Sequence, residues 1–192
     1  MIKGQIKQAI LIFVVLSIIT GIIYPLFITG IAQVFFPARA NGSLIYRNGK
    51  PVGSSFIGQA FNDPKYFWGR ISATSPVSFN AAYSSGSNLG PSNPVLLEAV
   101  KARIKALRLA DPDNASPIPV DLVTSSASGL DPHISLAAAY YQAARIARFR
   151  GLSQDIVKIL IAKHASGRLF GLIGEPVVNV LELNLALDEY KK

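Results

Sequence analysis

Residues 125–133 read SSASGLDPH and set Ser126 and Ser128 just before Asp131 and His133. Serine, histidine and aspartate are the parts of a nucleophilic triad, in which imidazole takes the hydroxyl proton and the carboxylate orients the imidazole. The Gly-x-Ser-x-Gly elbow that exposes such a serine in α/β-hydrolases is missing from the chain. A serine-rich turn ahead of an Asp-Pro helix start accounts for the same residues, so hydrolase chemistry is the alternative reading and not the leading one. Metal chemistry has little to work with: the chain has two histidines, His133 and His164, on different elements, and no cysteine. A phosphate loop is suggested by SGSNLGPSNP, residues 85–94, but the Gly-Lys-Ser/Thr ending that meets a phosphate is absent. Asn93-Pro94 has instead the form of a helix N-cap followed by proline at the first helical position. A helix N-terminus can receive an anion, yet this pattern alone points to a turn.

These residues belong to a chain with two unlike parts. Half of its 192 residues are hydrophobic and only 16% are charged, and the apolar excess is gathered at one end. Residues 1–8 form a short basic tail with Lys3 and Lys7, and Ala9–Phe36 contains no charged residue. Crossing a bilayer takes roughly 20 predominantly apolar residues, so this run is expected to be a transmembrane helix in the lipid bilayer. A buried soluble helix rarely stays apolar on every face for such a length. A signal peptide would have a shorter core, followed by a small-residue cleavage site. Pro25 interrupts the run, and such a kink is tolerated where neighbouring helices satisfy the freed backbone. Arg39, Arg47 and Lys50 follow the span, so the balance of positive charge does not by itself decide the orientation. A basic tail before one uncleaved span is expected to leave the N-terminus cytoplasmic and the remaining domain, 37–192, outside. The net charge of +8 would fit nucleic acid in a soluble protein, but the cations are scattered over helices as on a solvated face, and no nucleic-acid partner is expected.

The domain is expected to be α/β (α+β) in class, carried on the single N-terminal transmembrane helix. Asn48-Gly49 signals a hairpin between strands at 44–46 and 52–57. About thirty residues with little periodicity follow, rich in aromatics: Tyr66, Phe67, Trp68, Phe79 and Tyr83. A loop of this length in a compact domain is usually functional or held by a partner. Its aromatics can fasten it to the domain's own core or dock into another protein. The spacing of Leu96, Val100, Ile104 and Leu107 predicts a helix over 94–109, with Lys101, Lys105 and Arg108 on its other side. A short strand is expected at 120–123. Further helices are expected from His133, with Asp131 as cap, to about Phe149, and over 154–164 capped by Ser153. The end of the chain reads as a strand-like start followed by an amphipathic helix. Read from residues alone, this is a single-pass membrane protein without a self-sufficient active site, with a membrane-anchored serine hydrolase as the alternative.

The segments FNDPKYFWGRISAT, SGSNLGPSNP, VDLVTSSASGLDPHIS and GEPVVNVLELNLALD together resemble the KdpC family, the small subunits of the Kdp potassium-transporting ATPase. The likeness covers nearly the whole chain, anchor included. Small departures occur: Ile71 and Leu136 stand where proline is usual, and Phe79 replaces a tyrosine. The resemblance implies an accessory, non-enzymatic subunit of an ATP-driven, high-affinity potassium import complex in the plasma membrane. Its partners would be a channel-like potassium-binding subunit and a P-type ATPase subunit. The family is also described as a catalytic chaperone that raises the ATPase subunit's affinity for ATP, although a domain outside the membrane cannot touch cytoplasmic ATP. No cofactor is expected on this chain itself; ATP would act through the complex. Were nucleotide to bind here, Ser126, Ser128, Gly129 and Gln142 are the candidates. The expected partner contacts are Tyr66, Phe67, Trp68 and Arg70 in the aromatic loop, and Ser87, Asn88, Gly90 and Asn93 in the turn that follows.

Overall fold

The computed structural model describes residues 2–190, with side-chain surroundings from Gly4 onward. Met1, Lys191, Lys192 and the Lys3 side chain, which belong to the expected tail and domain ends, lie outside the described residues. The chain divides into two compact units, residues 1–44 and 45–192.

The first unit is the apolar helix. Within residues 4–35 an 18-residue window reaches a mean hydropathy of 2.6, and 32 residues at a rise of about 1.5 Å each exceed a hydrocarbon core of roughly 30 Å. The helix is continuous with the expected tail, running as α1 (Ile2–Ile18), a π-helical turn at Ile19–Ile23, and α2 (Tyr24–Phe35). The π turn has a local cause. Pro25 lacks an N–H and its ring crowds the carbonyl four residues back, so the turn before it widens. The Tyr24 N–H accordingly reaches the Ile19 carbonyl, five residues back. A short helix, α3 (Pro37–Ala40), closes the unit. Asn41 fastens it by donating to the Gln33 side-chain carbonyl (3.1 Å) and to the Pro37 carbonyl (2.7 Å). This local capping is why the unit extends past the expected boundary at Phe36.

The second unit begins with a hairpin, β1 (Leu44–Arg47) and β2 (Lys50–Ser54), turned by Asn48 and Gly49, both at positive φ. That is the turn type Asn-Gly favours. The second strand stops at Ser54, before the expected Ile57, because the Ser54 hydroxyl and carbonyl accept from the Phe56 and Ile57 N–H groups and bend the chain. Residues 94–110 form α4 (Pro94–Ala110), capped by Asn93, whose Oδ1 accepts from Val95 N–H. The expected strand at 120–123 is instead a single 3₁₀ turn, Val120–Leu122. The expected helix at His133 also differs: β3 (His133–Ser135) is a strand paired with β5 (Val177–Asn179). The helix α5 (Leu136–Arg150) starts after it, with Ser135 as the cap and not Asp131. Gly151 ends α5 at positive φ, and Ser153 caps α6 (Gln154–His164) as expected. The strand β4 (Ala165–Ser166) joins the other edge of β5 in an antiparallel sheet of order β3-β5-β4, and α7 (Val180–Glu189) follows from β5 under an Asn179 cap.

The core lies between α5, α6, α7 and this sheet. Ala139, Ala143 and Ile146 face it from α5, Val157 and Ile161 from α6, Leu183 and Leu187 from α7, and Val178 from β5. These positions recur every three or four residues, as one buried helix face requires. Of the expected stripe on α4, Leu107 is buried, while Val100 and Ile104 pack against the core part-buried.

Candidate functional site

The long segment between β2 and α4 carries most of the residues singled out above, and its backbone must be satisfied without a sheet ladder. Two amide side chains replace the ladder. Asn184 on α7 accepts from Phe67 N–H (2.8 Å) and donates to the Phe67 carbonyl (3.0 Å). Gln142 on α5 does the same for the next residue, accepting from Trp68 N–H (2.8 Å) and donating to the Trp68 carbonyl (3.1 Å). Phe67 is fully buried and Trp68 is 6% exposed. They anchor the loop to the domain's own core, the first of the two roles open to these aromatics, and neither ring is exposed on the isolated chain.

Arg145, 1% exposed, completes this anchor. It donates to the Gln142 side-chain oxygen, Oε1 (2.6 Å), and to the Pro64 backbone carbonyl, and its guanidinium lies 4.6 Å from the Trp68 ring centre. Arg103 approaches the same ring at 5.0 Å and donates to the carbonyls of Leu122 and Gly69. Burial pushes the Arg145 guanidinium down to about 10, which leaves it charged near neutrality. Tyr66 is held at the surface, its hydroxyl on Asp188 (3.1 Å) and the Arg150 guanidinium 4.7 Å from its ring centre.

The serine turn is the second fastening point. Ser72 Oγ donates to the Gly129 carbonyl (2.7 Å), Ser85 N–H donates to the Ser128 carbonyl (3.0 Å), and Ser84 Oγ donates to the same carbonyl. Gly129 has φ +67°, and a Cβ there would sit 2.5 Å from the Ser85 carbonyl oxygen. At Gly86 a Cβ would sit 2.6 Å from the Ala127 carbonyl oxygen. Two backbones touch here, which is what glycine permits. Ser126, Ser128 and Gly129 therefore form a seam between loop and domain. Gln142 does not join them: all its hydrogen bonds go to Trp68, Ala138 and Arg145, and it is 1% exposed. Of the four nucleotide candidates, Ser126, Ser128 and Gly129 are brought together and Gln142 is set apart, its amide engaged within the core.

Asp131 links the seam to the aromatic loop. Arg70 Nη1 lies 3.1 Å from Asp131 Oδ2 and Arg70 Nη2 donates to the Ser125 carbonyl (3.0 Å). Asp131 Oδ1 accepts from His133 N–H (3.0 Å) and lies 3.4 Å from His133 Nδ1. Burial would raise the Asp131 carboxyl, but the bonds from His133 and Arg70 outweigh it and hold the pKa below the ordinary value. No serine hydroxyl among the described residues is bonded to His133; Ser126 Oγ faces Ser128 Oγ at 3.5 Å, and Ser135 Oγ donates to Asp121. A nucleophilic serine needs that imidazole contact, so the hydrolase alternative is not supported. Among the described residues no cluster of three or more potential metal ligands occurs.

Of the expected partner contacts, Ser87, Asn88 and Gly90 are exposed, Asn93 is half-buried and engaged as a cap, and Arg70 is half-buried on Asp131. Tyr83, 64% exposed, and Val77, 60% exposed, stand on the same loop surface. Arg145 and Asn184 escaped sequence reasoning because they sit within amphipathic helices, where an arginine or asparagine reads as solvent-facing. The one available signal was their spacing from buried positions: Arg145 follows Ala138 by seven residues, and Asn184 lies four after Val180 and three before Leu187.

The chain matches the family model described as KdpC, K+-transporting ATPase, c chain, over residues 6–189. It is 62% identical over 188 residues to the Potassium-transporting ATPase KdpC subunit of Ralstonia nicotianae, covering 98% of this chain and 92% of that protein. It is likewise 62% identical to the KdpC subunit of Methylibium petroleiphilum, covering 97% of each chain. Identity to the subunit of Dechloromonas aromatica is 60%, covering 99% of this chain and all of that one.

Proposed function

The chain belongs to the KdpC family of potassium-transporting ATPase subunits, and from that premise we propose that it works as a docking scaffold within the transporter. It is an accessory subunit and not a catalytic one. The apolar helix anchors the chain in the plasma membrane beside a channel-like, potassium-binding subunit, with the N-terminus cytoplasmic. The domain lies outside, near the ion entrance, and the complex it completes hydrolyses ATP on a separate P-type ATPase subunit. The observation that carries this reading is the bonding of the long loop. Gln142, Asn184 and Arg145 hold loop backbone, the Ser128 carbonyl accepts from Ser85 N–H and the Gly129 carbonyl from the Ser72 hydroxyl, while Val77, Tyr83, Ser87, Asn88 and Gly90 stay exposed on the loop. A loop fixed from behind and open in front is built to present a surface. Pre-organisation of that kind lowers the ordering cost of association.

On this topology the domain cannot reach cytoplasmic nucleotide. Any rise in the ATP affinity of the ATPase subunit is then a coupling free energy between states of the complex, with no nucleotide on this chain.

The test is purification of the affinity-tagged chain from its native membrane. The channel-like and ATPase subunits are expected to co-purify, and Tyr83→Ala combined with Val77→Ala is expected to lower their yield at unchanged chain level. Deletion of the chain is expected to abolish ATP-driven potassium uptake. A label site after Tyr190 is expected to react in intact cells. Full yield of complex from the double variant would remove the loop from the interface, and protection of the label would reverse the orientation.

A further inference from the structure

The turn between β4 and β5 exposes apolar side chains more than any other part of the domain. Leu169 is 60% exposed, Phe170 85%, Leu172 82% and Ile173 64%, all within five residues. A contiguous exposed apolar patch on a folded domain marks an interaction site. This one is also bonded within its own backbone. Leu169 and Ile173 exchange backbone hydrogen bonds of 2.8 and 3.0 Å, Gly171 N–H donates to the Arg168 carbonyl, and Leu172 N–H donates to the Leu169 carbonyl. Phe170 lies at φ +52°, a conformation uncommon for a bulky residue, and Gly171 at +74°. Below the tip, Arg168 Nη2 meets both oxygens of Glu175 at 3.0 and 2.9 Å. The root is the core strand β5, where Val178 is fully buried and Asn179 donates to the Ser55 carbonyl.

We propose that residues 168–175 form a preformed apolar plug that seats in an apolar pocket on the extramembrane surface of another subunit of the potassium-transporting ATPase. The proposal rests on the reading of this chain as a docking subunit and names a second surface for it. Three features select a protein pocket as the occupant. The tip's backbone closes on itself through four hydrogen bonds, a defined shape that a fixed pocket rewards and fluid lipid does not. It has no tryptophan, tyrosine or unpaired cation of the kind that anchors a segment at a lipid interface. Its two charges, Arg168 and Glu175, neutralise each other below an uncharged apolar tip, so seating the tip in a pocket strands no unpaired charge.

The test uses the full chain in native membranes. p-Benzoylphenylalanine at position 170 is expected to give, on irradiation, an adduct with another subunit of the transporter, identified by mass spectrometry. The same group at Ile159, which is 66% exposed on α6, is expected to give none. Phe170→Asp and Leu172→Asp are each expected to lower recovery of the complex at least tenfold at unchanged Trp68 emission. An adduct with lipid only, an adduct between two copies of this chain, or no adduct from a complex that still co-purifies would each overturn the proposal. In the last case the docking reading survives without the plug. Failure of the unsubstituted chain to co-purify with any transporter subunit would instead remove the reading on which the plug rests.

Discussion

Gln142→Leu tests whether helix α5 holds the aromatic loop. The change keeps the side chain's approximate volume and the helix propensity of its site, and removes only polar atoms. Three groups lose their partner: the Trp68 N–H, the Trp68 carbonyl and Arg145 Nη2, the last at 2.6 Å. Gln142 and Arg145 are each 1% exposed and Trp68 is 6% exposed, so water does not replace the amide without a local opening. At about 1–3 kcal/mol for each buried polar group left unsatisfied, with partial relief by opening, the cost is about 3–6 kcal/mol. For a domain of this size each kcal/mol moves the midpoint by about 2–4 °C, so thermal unfolding should fall by roughly 6–24 °C.

The readout is built in. Trp68 is the chain's only tryptophan, so its emission reports the anchored residue itself. In detergent-solubilised full-length chain, Gln142→Leu is expected to shift the emission to the red at a temperature where circular dichroism still reports intact helices. Gln142→Glu retains the acceptor for Trp68 N–H and Arg145 but loses the donor to the Trp68 carbonyl, so its effect should fall between leucine and glutamine. An unchanged midpoint and unchanged emission in Gln142→Leu would refute the idea that side-chain amides replace a ladder here.

Two further outcomes follow from the seam between the serine turn and the loop. Gly129→Ala places a Cβ 2.5 Å from the Ser85 oxygen at φ +67° and should lower stability by at least about 1–3 kcal/mol; Gly90→Ala, with nothing within 4 Å, should stay within about 0.5 kcal/mol of the parent in the same denaturation series. Asp131→Asn removes a carboxyl whose folded pKa lies below its unfolded value. The stabilisation from that carboxyl is present above the ordinary aspartate range and lost as pH falls through the lower folded value, so the parent should exceed Asp131→Asn at pH 7 and the gap should close in acid.

Much of the architecture was legible because local signals and tertiary packing agree. The apolar run, the Asn48-Gly49 turn, the Asn93 and Ser153 caps, the Gly151 stop and the strand-to-helix ending of the chain each have a local physical cause, and each is present. Where the reading failed, a tertiary partner overrode the local pattern. Asp131-Pro132 looks like a helix start, yet the next three residues pair with β5, and the helix waits for Ser135. That places Leu136 at the first helical position, where proline is favoured. Residues 120–123 look like a strand but find no edge to join. For the aromatic loop the sequence offered both core fastening and docking and could not assign them ring by ring, because no sequence period identifies the Asn184 and Gln142 amides that close over Phe67 and Trp68.

The same bonding accounts for much of the net charge of +8. Arg70, Arg103, Arg145 and Arg150 all donate to backbone carbonyls of residues distant in the chain: Ser125, Leu122 and Gly69, Pro64, and Lys65 and Leu187 respectively. A guanidinium offers five donors in a planar fork, so one arginine can satisfy several carbonyls that lack a ladder, which lysine does with less geometric control. A long irregular loop on a small domain therefore favours arginine without any anionic ligand. An external phosphate would have to displace these carbonyls, exposing the loop backbone in the process. The basic excess that suggests nucleic acid in a soluble chain is, at these positions, the means by which the loop is held.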